Sequence, residues 1–516
     1  MTVTSRQLSP VTALSPWAVR GVGVVSAAAA VLLTVRSGRY GYFGDELYFL
    51  AAGRRLAPGY VDQGPLVPVL ARCAEWIAPG SLVVLRIPSI LGAVAGIWVC
   101  AALARELGGG RRAQTSAAFA FAVSPFVITQ AASLSTFALD APLWSALLWM
   151  MVRWTRIRDD RLFAVLAVVA VIDVQVKLLL PVLAGASAVG VMVFGPREML
   201  RRRALWAAIA AVAATAIPSL WWQARHGWPQ LAMGPVIAAE QRAATGGVAG
   251  LPLQLALLLG VAGVPLAVAG CWALARSPAL RPYRFAAVGV VGPLVFVVAT
   301  ASRPYYVAGV FPLAIAAGAV WASDRDGPRW VATAVLAVAA ASAGVAFAVL
   351  CLLPRPATTL RESTDTQRAM STRMRLFGMD GWGELVSSVD AVARDVSTSS
   401  GARPIIVTRT YWQAAALDQL GQDLPPVFSP NRGFVYFGVP PDAATVLYVG
   451  DASAESMLRQ QFSMVVPVSR LDDRLGFPGI TRAVVIWRCD HPRRAWADTW
   501  PQWRTLVVNS QEWRHP

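Results

Sequence analysis

About eleven apolar stretches recur along the first 354 residues of this chain, at roughly 17–35, 82–104, 113–131, 138–152, 162–175, 178–195, 205–222, 251–274, 285–300, 305–322 and 330–353. Crossing a bilayer's hydrocarbon core takes about 20 apolar residues of helix, and every backbone group inside it must be satisfied within the segment. Repeated runs of this kind therefore fold as a bundle of membrane helices. Composition agrees: 15% of the residues are charged and 56% hydrophobic, where soluble domains carry roughly 25% charged residues. Residues 17–35 have the look of a signal peptide, but no small-residue cleavage site follows and the apolar runs continue, so they read as the first membrane helix.

The loops between the runs set an orientation. Arg105, Arg111 and Arg112 share one loop, and Arg153, Arg156, Arg158 and Arg161 another; Arg197, Arg201, Arg202 and Arg203 follow, then Arg276, Arg281 and Arg284. With eleven spans these loops and the N-terminus fall on one side, which the positive-inside rule makes cytoplasmic. The expected location is the plasma (inner) membrane, with the long loops 36–81 and 223–250 and everything after 354 outside. Residues 355–516 are polar and alternate strand-like runs ("PIIVTRT", "TVLYVG", "RAVVIWR") with helical ones ("GWGELVSSVDAVARDV", "YWQAAALDQL"). This pattern predicts a small extracytoplasmic α/β domain. The fold class is thus an α-helical polytopic membrane protein, residues 1–354, with a soluble α/β domain, residues 355–516.

The net charge of +17 does not point to nucleic acid. Its arginines sit in short loops that orient helices and meet anionic headgroups. Cys73, Cys100, Cys271, Cys351 and Cys489 show no metal or disulfide spacing. Of 46 basic residues one, Lys177, is a lysine. In a chain so biased to arginine, this marks a position where the guanidinium fork does not serve.

The remaining ionisable and polar residues near the spans need a reason, because charge against the bilayer is costly and usually faces a cavity or a partner. Asp45 and Glu46 follow the first span, and Asp140 opens the fourth. Asp173 and Lys177 flank the junction of the fifth and sixth; His226 lies in the next long loop, and Arg303, Tyr305 and Tyr306 begin the tenth. Each has an ordinary explanation. Asp45 and Glu46 could start a surface helix, and Asp140 could cap one. Asp173 and Lys177 could form an i,i+4 pair. His226 could be an exposed loop residue, and the tyrosines belt aromatics. Yet six separated segments place them all at one face, which reads as a single site.

At such a site a carboxylate can act as general base toward a hydroxyl acceptor, while Lys or Arg holds a departing phosphate. A groove between spans would take a lipid tail. A polyprenyl-phosphate-linked sugar fits this combination, since no nucleotide donor is supplied outside the cell.

The same stretches resemble a known family, the GT-C glycosyltransferases, in the superfamily of protein O-mannosyltransferases and aminoarabinose transferases. "FGDELYFLAAGRRLAPGYVDQGPLVPVLAR" is similar to that family's first outer loop, "LRIPSILGAVAGIWVCAALARELGG" to its second span, and "VSPFVITQAASLSTFALDAPLWSALLWMMVRW" to its third and fourth. "VQVKLLLPVLA" resembles its Thr-Lys segment and "RPYYVAGVFPLAIAAGA" its Lys-Pro-Tyr-Tyr element; in the tail, "RTYWQAAALDQL" and "LPPVFS" look familiar. The resemblance covers about residues 15–320. It implies transfer of a sugar from a polyprenyl or dolichyl phosphate on the outer face. Asp45 would be the catalytic base, with Glu46 helping to position it. Asp140 would be a second active-site carboxylate, Lys177 and Arg303 donor-phosphate contacts, and Tyr305 and Tyr306 a lining of the donor site. The chain departs from the pattern at Gly64, where the family has the first proline of Pro-Pro-Leu, at "VQVK", and at Arg303, which replaces a lysine. Asp62 adds an acid to the first loop.

The leading expectation is an inverting glycosyltransferase that uses a polyprenyl-phosphate-sugar donor and a hydroxyl acceptor on a protein, lipid or polysaccharide. No cofactor is required by this reading, although an Asp-rich rim could hold a divalent ion. The alternatives are a transporter or flippase of lipid-linked saccharides, and a degenerate relative whose tail is a binding module. Transporters place polar groups near the membrane midplane on broken helices; here the acids gather at helix ends.

Overall fold

A computed structural model of the protein describes residues 14–323, 329–360, 367–401, 403–473 and 476–508. Most of the N-terminal stretch expected on the cytoplasmic side, residues 1–13, lies outside them. The helical part runs α1 (Val19–Ser37), α2 (Gly44–Arg54), α3 (Leu66–Ile77), α4 (Leu82–Glu106), α5 (Arg111–Ala122), α6 (Pro125–Gln130), α7 (Thr136–Ile157), α8 (Leu162–Val176), α9 (Leu180–Phe194), α10 (Arg203–Arg225), α11 (Pro229–Thr245), α12 (Leu251–Arg276), α13 (Phe285–Thr300), α14 (Phe311–Ser323) and α15 (Arg329–Leu352).

Among the described residues, seven helices are long and apolar enough to cross a membrane: α1, α4, α10, α15 and the segments Gly247–Arg276, Arg281–Thr300 and Pro304–Ser323. The other four expected spans fall on α7, on the apolar but 15-residue α8 and α9, and on α5 with α6. The last of these is broken because Ser124 caps a new helix through its hydroxyl and Pro125 takes the first position, where its missing N–H is no loss. Apolar side chains such as Val24, Val31, Leu253, Leu257, Val291 and Val295 remain exposed around the bundle. In a multi-pass membrane protein these faces meet lipid rather than water.

The arginine-rich loops meet at one end of the bundle. The buried Glu106 accepts from Arg153 at 2.6 Å and Arg156 at 2.8 Å, and the Tyr283 hydroxyl donates to its carbonyl. Arg158 pairs with Glu198 at 3.0 Å, joining two further loops.

The opposite end carries α2, α3, α11 and the tail. The tail comprises α16 (Gln367–Phe377), α17 (Trp382–Ser400), β1 (Ile405–Thr408), α18 (Tyr411–Leu420), β2 (Val427–Phe428), β3 (Thr445–Gly450), α19 (Glu455–Gln461), β4 (Phe462–Leu471), β5 (Val484–Pro492) and α20 (Trp496–Trp503). Its five strands lie in the order β2-β1-β3-β5-β4. The β1 pairings are parallel, and those of β5 antiparallel. The three strand-like runs in the sequence are β1, β3 and β5, and the two helical ones are α17 and α18. β4 stands at the sheet edge and alternates little, which is why the period-2 pattern did not reveal it.

One apolar core spans the division expected at residue 354. Leu47, Leu50 and Val67 from the first loop pack with Val176, Leu385, Ile406, Tyr411 and Phe434. Polar links reinforce it: Arg55 forks onto Asp418 at 2.6 and 2.9 Å, and the Trp382 indole donates to the Tyr42 carbonyl at 3.0 Å. The tail is thus seated on the first loop, and that seating builds the site.

Candidate functional site

Asp45 and Glu46 occupy the first turn of α2, where a helix N-terminus favours negative charge. They face opposite ways. Glu46 is fully buried; it accepts from the Phe43 backbone N–H at 3.0 Å, closing the helix start, and from the Leu134 N–H at 2.8 Å. Arg86, also fully buried, forks onto it at 2.7 and 2.9 Å. The same guanidinium donates to the carbonyls of Ser37, Tyr40 and Gly41. Glu46 therefore fixes the turn that presents Asp45, and its own oxygens are fully occupied. The resemblance gives Glu46 a part in positioning Asp45, and its contacts are of that kind.

Asp45 is exposed. Its Oδ1 accepts from the Tyr411 hydroxyl at 2.7 Å and from the Trp412 indole at 2.9 Å. Both donors sit at the start of α18, whose first turn is held by a reciprocal capping box between Thr410 and Gln413.

Lys177 leaves the end of α8 in an extended conformation (φ −156°, ψ 141°), so its side chain turns out of the helix at the corner before α9. Its ammonium lies 4.8 Å from the Phe137 ring centre and 5.3 Å from that of Tyr306. Those two rings stack at 4.9 Å, and Tyr305 meets Phe137 edge-on at 4.7 Å. A compact cation suits such an aromatic cage. The corner is pinned by Gly64, whose N–H donates to the Val176 carbonyl at 3.0 Å and whose α-carbon faces the Gln175 backbone without room for a side chain. A proline has no N–H to give, which explains this departure from the family pattern.

Asp140 and Asp173 are buried side by side near Lys177. Among the described residues Asp140 Oδ1 and both Asp173 oxygens lack a partner of good hydrogen-bond geometry, although the two carboxyls and the Trp144 indole lie close together. Asp140 is not the cap of α7, a role taken by Ser135. Among the described residues Asp173 and Lys177 form no ion pair; the lysine's backbone N–H donates to the Asp173 carbonyl instead.

Arg303 reaches Glu240 of α11 at 2.5 Å, and the other Glu240 oxygen holds Arg432. The Arg432 guanidinium lies 5.5 Å from the Tyr411 ring centre, and its Nε donates to the Leu506 carbonyl at 2.9 Å. A continuous polar path thus runs Asp45–Tyr411–Arg432–Glu240–Arg303. Tyr305, beside Arg303, lies within the fields of both Lys177 and Asp45. Burial, then the Asp45 charge, raises the Tyr411 phenol well above its usual pKa, so it stays a donor. Burial opposes the charge of Arg432, but Tyr411, Glu240, Asp45 and Asp62 outweigh it and raise its pKa.

His226 lies apart from this path. It is exposed, stacks on Trp222 at 4.2 Å, and meets Tyr436 edge-on. Tyr411, Trp412, Glu240 and Arg432 were not singled out from sequence, although Tyr411 and Trp412 lie in the tail stretch that looked familiar. Among the described residues no three His, Cys, Asp or Glu side chains gather as metal ligands. Asp45 is held by two neutral donors instead. A cavity of about 230 Å³ lies beside Arg55 and Asp418, between the first loop and the tail rather than on this path.

Comparison with known proteins places the fold. Residues 62–222 match the sequence model of the dolichyl-phosphate-mannose-protein mannosyltransferase family. No curated protein matches over its sequence. Two crystal structures of ArnT from Cupriavidus metallidurans share the fold at 16% identity, covering 91% of this chain and 98% of that one. Their TM-scores are 0.57 for the form bound to undecaprenyl phosphate and 0.60 for the apo form. The arabinofuranosyltransferase AftD from Mycobacteria matches at 17% identity and TM-score 0.53 over 94% of this chain, which spans 40% of AftD. At these identities the likeness is one of fold. It agrees with the family match and with the motifs read from sequence, so the resemblance holds: the chain is a multi-pass membrane protein of the GT-C glycosyltransferase fold.

Proposed function

We propose that the chain is an inverting glycosyltransferase that moves a sugar from a polyprenyl-phosphate-linked donor to a hydroxyl acceptor on the extracytoplasmic face. Asp45 takes the acceptor's proton as the hydroxyl oxygen attacks the anomeric carbon. The bond from that carbon to the phosphate oxygen breaks, and the phosphate leaves with the electron pair toward Lys177 and Arg303. A single displacement inverts the anomeric centre. Tyr305 and Tyr306 line the donor site, and Asp140 and Asp173 place a pair of carboxyl groups near Lys177.

The observation that carries this reading is the exposed Asp45, steadied on one oxygen by Tyr411 and Trp412, at the head of a path lined with Arg432 and Arg303. A base toward the acceptor and cations toward the leaving group are the two demands of the reaction. The positive-inside rule supports the orientation, since the arginine loops gather at the other end. A lipid-phosphate donor is supported by the undecaprenyl phosphate in the ArnT structure of the same fold.

Reconstituted full-length protein is to be given radiolabelled polyprenyl-phosphate pentose and hexose donors in separate reactions. The reading expects transfer from one of them to a hydroxyl acceptor, with an inverted anomeric centre. Movement of the intact lipid-sugar across sealed vesicles without transfer would point to a transporter instead.

A further inference from the structure

The carboxylate that links Arg303 to Arg432, Glu240, has no part in the transfer as proposed. Glu240 is almost completely buried at the end of α11 and places one oxygen on each arginine. The two guanidiniums come from distant parts of the chain, the loop before the tenth span and the tail. One carboxylate is shared between two partly buried arginines, each held through a single nitrogen, while the Asp45 and Asp62 charges act on Arg432 from farther off.

We infer that Glu240 is an internal stand-in for the donor's phosphate: it clasps Arg303 and Arg432 together in the empty protein and is displaced when a lipid-linked phosphate takes both arginines. This rests on the glycosyltransferase reading and assigns Arg432, a tail residue, to the donor site. A phosphate ester offers more oxygens and more charge than a carboxylate, and the arginine fork matches it in two-point fashion. Arg432 cannot be the part that yields. Its backbone N–H and Nε are pinned to the Thr505 and Leu506 carbonyls, and its guanidinium lies against Tyr411. α11 can. It is entered through Trp228 at φ 57° and left through Gly246 at φ 78° and Gly247 at φ 67°, so a turn bounds it at each end. Displacing Glu240 would break the α11 link to Arg432 as the donor arrives, while α11 keeps its packing on α16. Arg432 would then connect donor phosphate to Tyr411, and through it to Asp45.

A clasp of this kind lowers apparent donor affinity by the fraction of molecules that are open. The test measures binding of a long-chain polyprenyl monophosphate, of the corresponding polyprenol and of inorganic phosphate to the full chain in detergent. Glu240→Gln is expected to tighten polyprenyl monophosphate about three- to tenfold, and Arg432→Gln to weaken it at least as much, with polyprenol unchanged in both. Glu240→Asp, too short to span both arginines, is expected to tighten it as well, and serves if Glu240→Gln fails to fold. Unchanged or weaker binding by a folded Glu240 variant overturns the clasp. So does a Glu240 effect on inorganic phosphate that is missing for the polyprenyl monophosphate, which would mark a general anion site. The glycosyltransferase reading is judged separately, by sugar transfer in the wild type and its loss in Asp45→Asn. A clasp that fails while transfer persists leaves that reading intact.

Discussion

The Tyr411 hydroxyl donates to Asp45 Oδ1 at 2.7 Å although 366 residues separate them. The first outer loop supplies the carboxylate and the tail supplies the groups that hold it. The site exists only because the tail is seated on that loop.

Removing that hydroxyl tests the arrangement. A hydrogen bond to a charged group contributes about 1.5–3 kcal/mol, and Trp412 remains as a second donor. Tyr411→Phe is expected to lower the transfer rate about tenfold and to lower the melting temperature modestly below about pH 10. The raised phenol pKa adds a signature. The folded protein keeps this proton where the unfolded chain loses it, so the contribution to stability is whole below about pH 10 and is lost as pH rises through the folded value. Tyr411→Phe should flatten the alkaline fall in stability, as followed by thermal melting above that pH.

Glu46 and Arg86 predict the opposite balance. Both side chains are fully buried in a two-point ion pair, and removing one partner of such a pair costs about 3–5 kcal/mol. Glu46→Gln should therefore lower the melting temperature and folded yield sharply. Any properly folded fraction should retain much of its activity, because Glu46 faces away from the acceptor side. Activity per folded molecule, measured after size-exclusion purification, separates the two effects.

Lys177 sits in an aromatic cage rather than on a carboxylate. Lys177→Arg, which keeps the charge but forces a larger planar group between Phe137 and Tyr306, should raise donor KM or lower kcat by about ten- to hundredfold, a loss of roughly 1.4–2.8 kcal/mol of transition-state stabilisation. Steady-state kinetics with varied donor check this, and an unaltered Lys177→Arg enzyme would remove the special role of the lysine.

Gly64→Pro, which moves the first loop toward the family's usual sequence, should be harmful here. It deletes the N–H donated to the Val176 carbonyl and pushes a ring into the Gln175 backbone. A lost hydrogen bond and an overpacked contact together cost on the order of 2–4 kcal/mol. The Lys177 corner would shift with them, so both melting temperature and donor binding should fall.

The parts of this site that could be read from sequence are those where a charge contradicts its surroundings. Asp45, Lys177 and Arg303 interrupt or border apolar runs, and a group so costly to bury draws attention. Glu240, Tyr411 and Arg432 lie in polar stretches, where a charged or phenolic residue is ordinary, and only folding brings them to the path. Periodicity located the helices well, but it ran one span through Ser124-Pro125, whose capping and proline signals end α5 and begin α6. The division at residue 354 followed a change in composition. Composition could not reveal that Leu47 and Leu50 share a core with Leu385 and Tyr411, because contacts between distant segments leave no local pattern.

The most direct test of the account is the rate of sugar transfer by Asp45→Asn from a polyprenyl-phosphate-linked donor, measured beside the wild type in protein shown by thermal melting to be equally folded. The amide keeps the shape and the acceptor oxygen for Tyr411 and Trp412 but cannot take the proton from the acceptor hydroxyl, so transfer should fall by a factor on the order of a hundred or more. Transfer by Asp45→Asn at the wild-type rate would contradict the account.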